Sequence, residues 1–209
     1  MKQGYKVNSL DIAIDQVNAI LPPESAEDPT LEASEGFGRY EGLPPQVELS
    51  DDGRTVRLLR PLSYYQEAGD AWPVPAGTEA DGASIPRAFW SLIGGPFEGK
   101  YRNASIVHDH YCVTRDRPWA QVHRMFHEAM RCSGVDRTRA GVMYYAVYRF
   151  GPRWPGLDAL EALEAAPMIS ENADPAGIVA DMRAIADGDL DPDAIETLAN
   201  WRDQRETQP

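Results

Sequence analysis

The chain has 209 residues, 43% of them hydrophobic, which is enough to build the core of one ordinary domain with appendages. No apolar run approaches the roughly 18 residues of a transmembrane helix, and the first residues lack the apolar stretch of a secretory signal. The net charge of −13 argues against a protein that wraps DNA. Two cysteines are too few for a disulfide framework, which favours a reduced, intracellular setting.

The first third of the chain contains one predicted helix, a linker and a β-hairpin. Residues 9–21 place apolar side chains at helical spacing up to a Pro-Pro pair, which predicts a helix. Residues 22–45 are rich in Pro, Glu, Ser and Gly and are typical of a linker. Two alternating segments, 47–50 and 55–59, flank an Asp-Asp-Gly turn, which predicts the hairpin. Residues 64–85 are predicted to be extended, with breaks at prolines and glycines.

Four helices are predicted to follow, and the last of them is the most apolar. Prolines, aspartates and glycines mark the ends of these helices. The first runs from Pro86 to Gly94 and the second over residues 102–113. The third is capped by Asp116 and ends near Arg131, and the fourth is capped by Asp136 and ends at Phe150. Because the fourth is apolar on most sides, we expect it to be the central helix.

These elements predict an α+β fold, a small antiparallel β-sheet followed by a helical block, with acidic helical N- and C-terminal appendages. Residues 158–166 and about 175–203 are acidic, helix-prone and separated by prolines. The predicted domain boundaries are 1–45 for the N-terminal helix and linker, 46–152 for the core domain and 153–209 for the acidic C-terminal extension.

Basic residues are concentrated in one block of this acidic chain. Residues 101–153 carry nine arginines against four acidic residues, while the segments on either side are net negative. Solvated arginines on outer helix faces are one explanation of this block. The other is a face that binds a lipid or another phosphate-bearing substrate. No strong nucleic-acid signal accompanies it.

All four histidines and both cysteines lie between His108 and Cys132. At 100° per residue, His108 lies on the apolar stripe of the 102–113 helix. His123 lies on the stripe of the next helix. The connection between these helices is short, so they are expected to be antiparallel neighbours. We therefore predict that His108 and His123 are buried and come within hydrogen-bond or shared-ligand reach.

Each of these histidines is followed four residues later by another potential ligand. The pairs His108/Cys112 and His123/His127 have the spacing at which two helices hold a tetrahedral zinc ion. The alternative is two core histidines whose nitrogens are satisfied by hydrogen bonds. The H-E-x-x-H glutamate of zinc proteases is absent. Cys132 is expected to be a small buried hydrophobic residue.

Three blocks of the chain resemble a domain family of unknown function that is common in phage and prophage genomes. They are the segment V-P-A-G-T-E-A-D-G-A-S-I-P-R-A-F-W at 74–90, the segment G-K-Y-R-N-A-S-I-V-H-D at 99–109, and the Met-Phe and Ala-Met pairs at 125–126 and 129–130. The resemblance covers roughly residues 45–152. It implies a phage-related protein, located in the host cytoplasm or on the virion. The acidic C-terminal helices are expected to pack on the core or on a partner, such as another phage or virion protein.

The same region is distantly similar to the bacterial and fungal phospholipase A2 group, in which a D-G-C-S-x-x-P loop precedes an H-D-x-x-Y helix. Carried over by position, this similarity implies that His108 is the general base and Asp109 a calcium ligand. The Asp81–Ser84 stretch would be the metal loop, and Asp81 is therefore expected near Asp109.

Two positions depart from both patterns. Cys112 stands where a tyrosine is expected, and His123 stands where an aspartate orients the base. A neutral histidine cannot balance the charge of a protonated base. The two changes also move the ligand set from oxygen toward sulfur and nitrogen, which favours zinc over calcium.

The sequence therefore supports two functions. One is a metal-dependent hydrolase of phospholipase A2-like architecture, with His108, Asp109 and His123 as catalytic residues. Its metal would be calcium or zinc, with candidate ligands at Asp81, His108, Asp109, Cys112, His123 and His127. The other is a non-enzymatic phage accessory or structural protein with a degenerate or zinc-stabilised site.

Overall fold

A computed structural model describes residues 17, 19, 21, 36–51, 55–82, 97, 99–155, 174–188 and 190–206. Within these residues six short strands precede five helices, which confirms the predicted α+β fold. The helix predicted from Pro86 and the one at 158–166 lie outside them. Of the helix predicted at 9–21, only Val17, Ala19 and Leu21 are described, and Val17 and Leu21 are buried.

The strands form two antiparallel three-stranded sheets, whereas the sequence predicted one small sheet. The strands are β1 (Arg39–Glu41), β2 (Val47–Leu49), β3 (Val56–Leu58), β4 (Leu62–Tyr65), β5 (Ala71–Val74) and β6 (Glu79–Ala80). Their order is β1-β4-β5 in one sheet and β2-β3-β6 in the other. Strand β5 contains Pro73 and lies at the edge of its sheet, where a missing backbone donor is tolerated.

The predicted hairpin is the β2–β3 pair. Val47 lies opposite Leu58, and Leu49 lies opposite Val56. Val56 and Leu58 are buried while Arg57 between them is exposed, as the two-residue period of a strand requires. All three residues of β2 are exposed, so this strand contributes little to the core.

Strand β1 lies in the segment that composition predicted to be part of a linker. Its register pairs Tyr40 with Tyr64 of β4. The two rings pack with centroids 5.1 Å apart, and the Tyr40 hydroxyl donates to the carbonyl of Ala129, 3.0 Å away on a helix. The Pro- and Gly-rich segment forms a strand because of these contacts with distant residues. No local sequence pattern predicts such contacts.

The helices are α1 (Arg102–Thr114), α2 (Trp119–Cys132), α3 (Arg137–Phe150), α4 (Pro175–Gly188) and α5 (Pro192–Glu206). Helix α3 packs against α2, α4 and α5, which confirms its predicted central position. Its N-terminus is capped as expected, because the Asp136 side chain accepts from the backbone N–H of Arg139 at 2.9 Å. None of the described helices is long and apolar enough to cross a bilayer.

The predicted cap of α2 is wrong. Helix α2 begins after Pro118, and no side chain caps it. Asp116 instead accepts a hydrogen bond from the Thr114 hydroxyl at 3.1 Å, within the turn that connects α1 to α2. Arg115 ends α1 in the left-handed conformation, so the chain reverses direction before Asp116 can reach the first turn of α2.

Buried ion pairs hold the two C-terminal helices against α3. The guanidinium of Arg149 is 3.0 Å from Asp203 and 2.5 Å from Glu206, both on α5. Arg202 of α5 is 2.5 Å from Asp181 of α4, whose carboxylate also accepts from the Tyr145 hydroxyl of α3. This charged network joins all three helices.

Candidate metal centre

Helices α1 and α2 bring His108 and His123 together in the core. Both side chains are fully buried, and Nε2 of His108 is 2.8 Å from Nδ1 of His123. This contact confirms the prediction made from the two apolar stripes. It arises because the short turn at 115–118 makes α1 and α2 antiparallel neighbours, so that their apolar stripes face each other.

The hydrogen bonds assign the proton on each ring. Nε2 of His123 is 3.1 Å from the carbonyl oxygen of Pro152, which can only accept, so this nitrogen carries the proton. Nδ1 of His123 is then an acceptor, and Nε2 of His108 donates to it. Nδ1 of His108 is then the acceptor of that ring, and the Cys112 thiol lies 3.8 Å from it. Both rings are therefore neutral and directed along one chain of hydrogen bonds that ends at Pro152.

Cys112 completes a cluster of three potential metal ligands. Its sulfur lies 3.6 Å from Nε2 and 3.8 Å from Nδ1 of His108, and the residue is 6% exposed. The ligand atoms of His108, Cys112 and His123 all lie within 4.8 Å of one another. In the part of the chain that the structure describes, no other three histidine, cysteine or carboxylate groups come as close.

The surroundings of the cluster are aromatic. The Phe126 ring packs 4.5 Å from the His108 ring, and Trp119 and Trp154 lie 5.6 Å and 6.3 Å from the His123 ring, centroid to centroid.

Removal from water lowers the pKa of His123 to about 3 and that of His108 well below the usual value. The proximity of His123 lowers the pKa of His108 further.

His127, the fourth predicted zinc ligand, does not join the cluster. It is 40° further around α2 than His123, and its ring lies against Tyr144 of α3, with centroids 5.3 Å apart. Its Nδ1 is buried without a hydrogen-bond partner. Burial, followed by the nearby positive charges of Arg131 and Arg124, lowers its pKa to about 4.

Asp109 and Asp81 also lie outside the cluster. Asp109 is 3% exposed, and its carboxylate accepts from the backbone N–H of Gly82 at 2.7 Å. The loop after β6 therefore contacts the His-Asp helix through the backbone of Gly82, and the neighbouring Asp81 is exposed. Ser84 lies outside the described residues. The structure thus brings Asp109 to the loop without building a carboxylate-rich metal site from the residues it describes.

Replacing Asp109 by Ala is expected to lower the free energy of unfolding by about 1.5–3 kcal/mol, because the N–H of Gly82 loses a charged, buried acceptor. Asp109→Asn keeps an oxygen acceptor of the same shape and is expected to lose less. Urea unfolding in the presence of a chelator measures both variants. Wild-type stability of Asp109→Ala would show that this contact does not anchor the loop.

Two functional groups could not be found from sequence patterns. The carbonyl oxygen of Pro152 orients His123, but every residue has such an oxygen and none is marked by its side chain. Gly151 permits the close approach of this segment, because a Cβ there would lie 2.3 Å from the carbonyl oxygen of Val147 and 3.3 Å from Cε1 of His123. The only local signal is the Gly151-Pro152 pair, which follows the predicted end of the helix at Phe150.

Comparison with known proteins finds similarity to uncharacterised sequences. The chain is 44% identical over 124 residues to the uncharacterized protein y4jT of Sinorhizobium fredii (strain NBRC 101917 / NGR234), a match covering 59% of this chain and 37% of that protein. It is 37% identical over 108 residues to the uncharacterized protein y4iH of the same strain, covering 52% of this chain and 45% of that protein. The chain thus spans less than half the length of either relative. No solved structure matches it significantly. Residues 56–147, which contain His108, Cys112 and His123, match the model of a family described as protein of unknown function (DUF1353).

Proposed function

We propose that this domain binds a zinc ion through His108, Cys112 and His123 and uses it in a hydrolytic reaction. The observation that carries the proposal is the buried cluster itself, in which two imidazoles and a thiol lie within 4.8 Å of one another. Thiolate and imidazole are ligands that zinc prefers over calcium.

The distances in the cluster are close to those of a tetrahedral zinc site. Zinc bonds of about 2.0–2.3 Å at tetrahedral angles place two nitrogens about 3.4 Å apart and a nitrogen and a sulfur about 3.6 Å apart. The Cys112 sulfur is already 3.6 Å from Nε2 of His108, whereas the two ring nitrogens are 2.8 Å apart. Zinc would therefore replace the proton between the rings and separate them by about half an ångström.

The hydrogen bond from His123 to Pro152 supports metal binding independently. A histidine that ligates a metal commonly donates its other ring N–H to a backbone carbonyl, which sets the tautomer and orients the ring. The bond from Nε2 of His123 to the Pro152 oxygen leaves Nδ1 directed into the cluster with a lone pair. The ring is thus arranged as a ligand before any ion arrives.

Hydrolysis is proposed because three protein ligands leave one position of a tetrahedral ion for water or substrate. Zinc held in this way lowers the pKa of its bound water to near neutrality. Without a metal, His108 would be a weak base, because burial lowers its pKa and the neutral His123 provides no countercharge. The proposal also includes a phospholipase A2-like arrangement of loop and helix, which the contact between Gly82 and Asp109 supports.

A second candidate is a non-enzymatic role in which zinc only stabilises the fold. The burial of the cluster favours it, since His108 and His123 have no exposed surface and Cys112 is 6% exposed. A substrate must reach a catalytic ion, whereas a structural ion needs no access. The phage or prophage origin, and a virion partner for the acidic C-terminal helices, belong to either candidate and are supported by the motif resemblance alone.

Metal analysis tests the proposal most directly. We expect protein purified without chelator to hold about one zinc ion per chain, and Cys112→Ser and His123→Ala to hold less than about a tenth of that, since each loses one of three ligands. In Co(II)-substituted protein, the thiolate charge-transfer absorption should be present in the wild type and absent in Cys112→Ser.

Two matched variants control this experiment. Cys132→Ser removes the other buried thiol, which donates to the Gly38 carbonyl at 3.3 Å, and His127→Leu removes the histidine that faces Tyr144. Both should keep the zinc. Wild-type protein without zinc, or loss of zinc in Cys132→Ser and Cys112→Ser alike, would contradict the assigned ligands.

An ester-hydrolysis assay separates the two candidates. We expect zinc-loaded protein to hydrolyse short-chain p-nitrophenyl esters and micellar phospholipids faster than chelator-treated protein, and His123→Ala to lose the difference. Calcium should not replace zinc. Stoichiometric zinc with no hydrolysis of either substrate would favour the structural role.

A further inference from the structure

A cavity of about 400 Å³ lies between the segment that leads into β2 and the start of α1. Most of its lining is apolar. The apolar lining residues are Leu43, Pro44, Pro45, Val47, Val56, Phe97 and Ile106. Sites for small molecules commonly have volumes of about 300–1,000 Å³ and a mainly apolar lining with few polar groups. This cavity fits that description.

Its two polar residues have no hydrogen-bond or ion-pair partners among the described residues. Arg102 is exposed, and none of the ion pairs or hydrogen bonds among the described residues involves it. No hydrogen bond of the Asn103 side chain, next to it, is found among the described residues: its Oδ1 is a buried acceptor without a partner, and its Nδ2 is the atom that can donate to an anion. A guanidinium and an amide therefore lie side by side at an apolar cavity with unused N–H donors.

The rim of the cavity exposes apolar surface. Leu43 is 50% exposed and Val47 is 40% exposed, and β2 has a strand partner on only one side among the described residues. Exposed apolar residues that are grouped around unpaired hydrogen-bond donors are typical of a binding site, whereas apolar residues scattered singly over a surface are not. Arg102 is the one charged residue among the described residues that line the cavity, so the lining carries a positive charge.

The cavity is separate from the metal centre. Ile106 lines the cavity, whereas His108 belongs to the cluster. The directions of their side chains around the axis of α1 differ by about 200°. A ligand here would contact the opposite face of the helix, so its binding does not depend on zinc.

We propose that this cavity binds a single-chain anionic amphiphile. Its acidic group would accept hydrogen bonds from Arg102 and Asn103, and its apolar chain would lie against Val56, Ile106 and the rim residues. Carboxylate and phosphate monoester heads share this chemistry, since both accept from a guanidinium. Burial of the chain and the charged hydrogen bonds would together provide the binding free energy.

Calorimetric titration with four ten-carbon probes below their micelle concentrations tests the proposal. Decanoate and decyl phosphate should bind at one site per chain, and the tighter of the two identifies the head group. Decanol should bind more weakly, and decyltrimethylammonium should not bind saturably. Arg102→Ala should raise the Kd of the anions by about tenfold or more, because a hydrogen-bonded charge is lost.

Two further variants and one control sharpen the result. Val47→Asp places a negative charge at the exposed rim, where folding tolerates it, and should weaken both anions. Arg183→Ala removes an exposed arginine of α4 and should leave the Kd unchanged. His123→Ala should bind the probes as the wild type does, even if it loses zinc. Absence of saturable anion binding, equal affinity for the cationic probe, or an unchanged Kd in Arg102→Ala would overturn the proposal.

Discussion

Replacement of Arg149 by Ala is expected to lower the free energy of unfolding by about 3–5 kcal/mol, the cost of removing one partner from a buried ion pair. The Arg149 side chain is 1% exposed and contacts Asp203 and Glu206 of α5 as well as the Tyr145 hydroxyl. Its loss leaves carboxylates facing the protein interior without their cation. Because both carboxylates lie on α5, limited proteolysis should also cleave this helix faster in the variant than in the wild type.

The exposed pair Arg57–Glu79 provides the matched control. Its atoms are 2.6 Å apart, closer than the Arg149–Asp203 pair, but both side chains are 54% exposed. Arg57→Ala is expected to cost less than about 1 kcal/mol, since solvent screens a surface pair. Urea unfolding of both variants measures the difference. Equal and small losses would show that burial does not make the Arg149 network important for stability.

Acidification of the metal-free protein is expected to have the largest effect on stability. His108, His123 and His127 are buried in neutral form, with the pKa of His123 lowered to about 3 and that of His127 to about 4. Their unfolded pKa is about 6.5, so below that pH the unfolded chain binds protons that the folded chain does not. Stability should therefore be complete above about pH 6.5 and fall as the pH drops toward the folded values. Each histidine contributes about 1.4 kcal/mol per pH unit, or about 2 kcal/mol between pH 6.5 and 5.

His127→Leu tests the origin of this slope without touching the metal cluster. It should reduce the pH dependence between 6.5 and 5 by about a third, because one of three buried histidines no longer titrates on unfolding. Stability at pH 8 should stay near that of the wild type, since the buried, unpartnered Nδ1 is removed as well. Measurements above pH 5 limit the contribution of carboxylates, whose unfolded pKa is about 4. A melting temperature that is constant from pH 7.5 to 5 would refute the assignment.

Local patterns predicted most of the regular structure correctly. The two-residue alternation on either side of the Asp-Asp-Gly signal predicted the β2–β3 pairing, and the Asp136 signal predicted the cap of α3. Both features depend on residues that are close in sequence, so composition and spacing are sufficient. The same holds for α1 and α2, whose apolar stripes placed His108 and His123 on facing surfaces.

Contacts between distant segments were not predictable in the same way. Strand β1 forms because Tyr40 meets Tyr64 and Ala129, and neither partner is visible from the local composition of residues 36–45. His127 was predicted to be a ligand from its spacing to His123, but the position of α3 gives it Tyr144 as a neighbour instead. Spacing along a helix fixes the angle between two side chains, but the packing of other helices decides what each one faces.

The sequence by itself determined the helical block, its central helix, the hairpin and the meeting of His108 with His123, since each follows from periodicity or from a turn signal over a few residues. The tertiary structure alone decided that His127 stays outside the cluster, that Pro152 orients His123, that Gly82 binds Asp109 and that Arg102 borders an apolar cavity. The physical reason is that these contacts use backbone groups or surfaces from segments far apart in the chain. Their distances depend on how the sheets and helices pack, which no local pattern records.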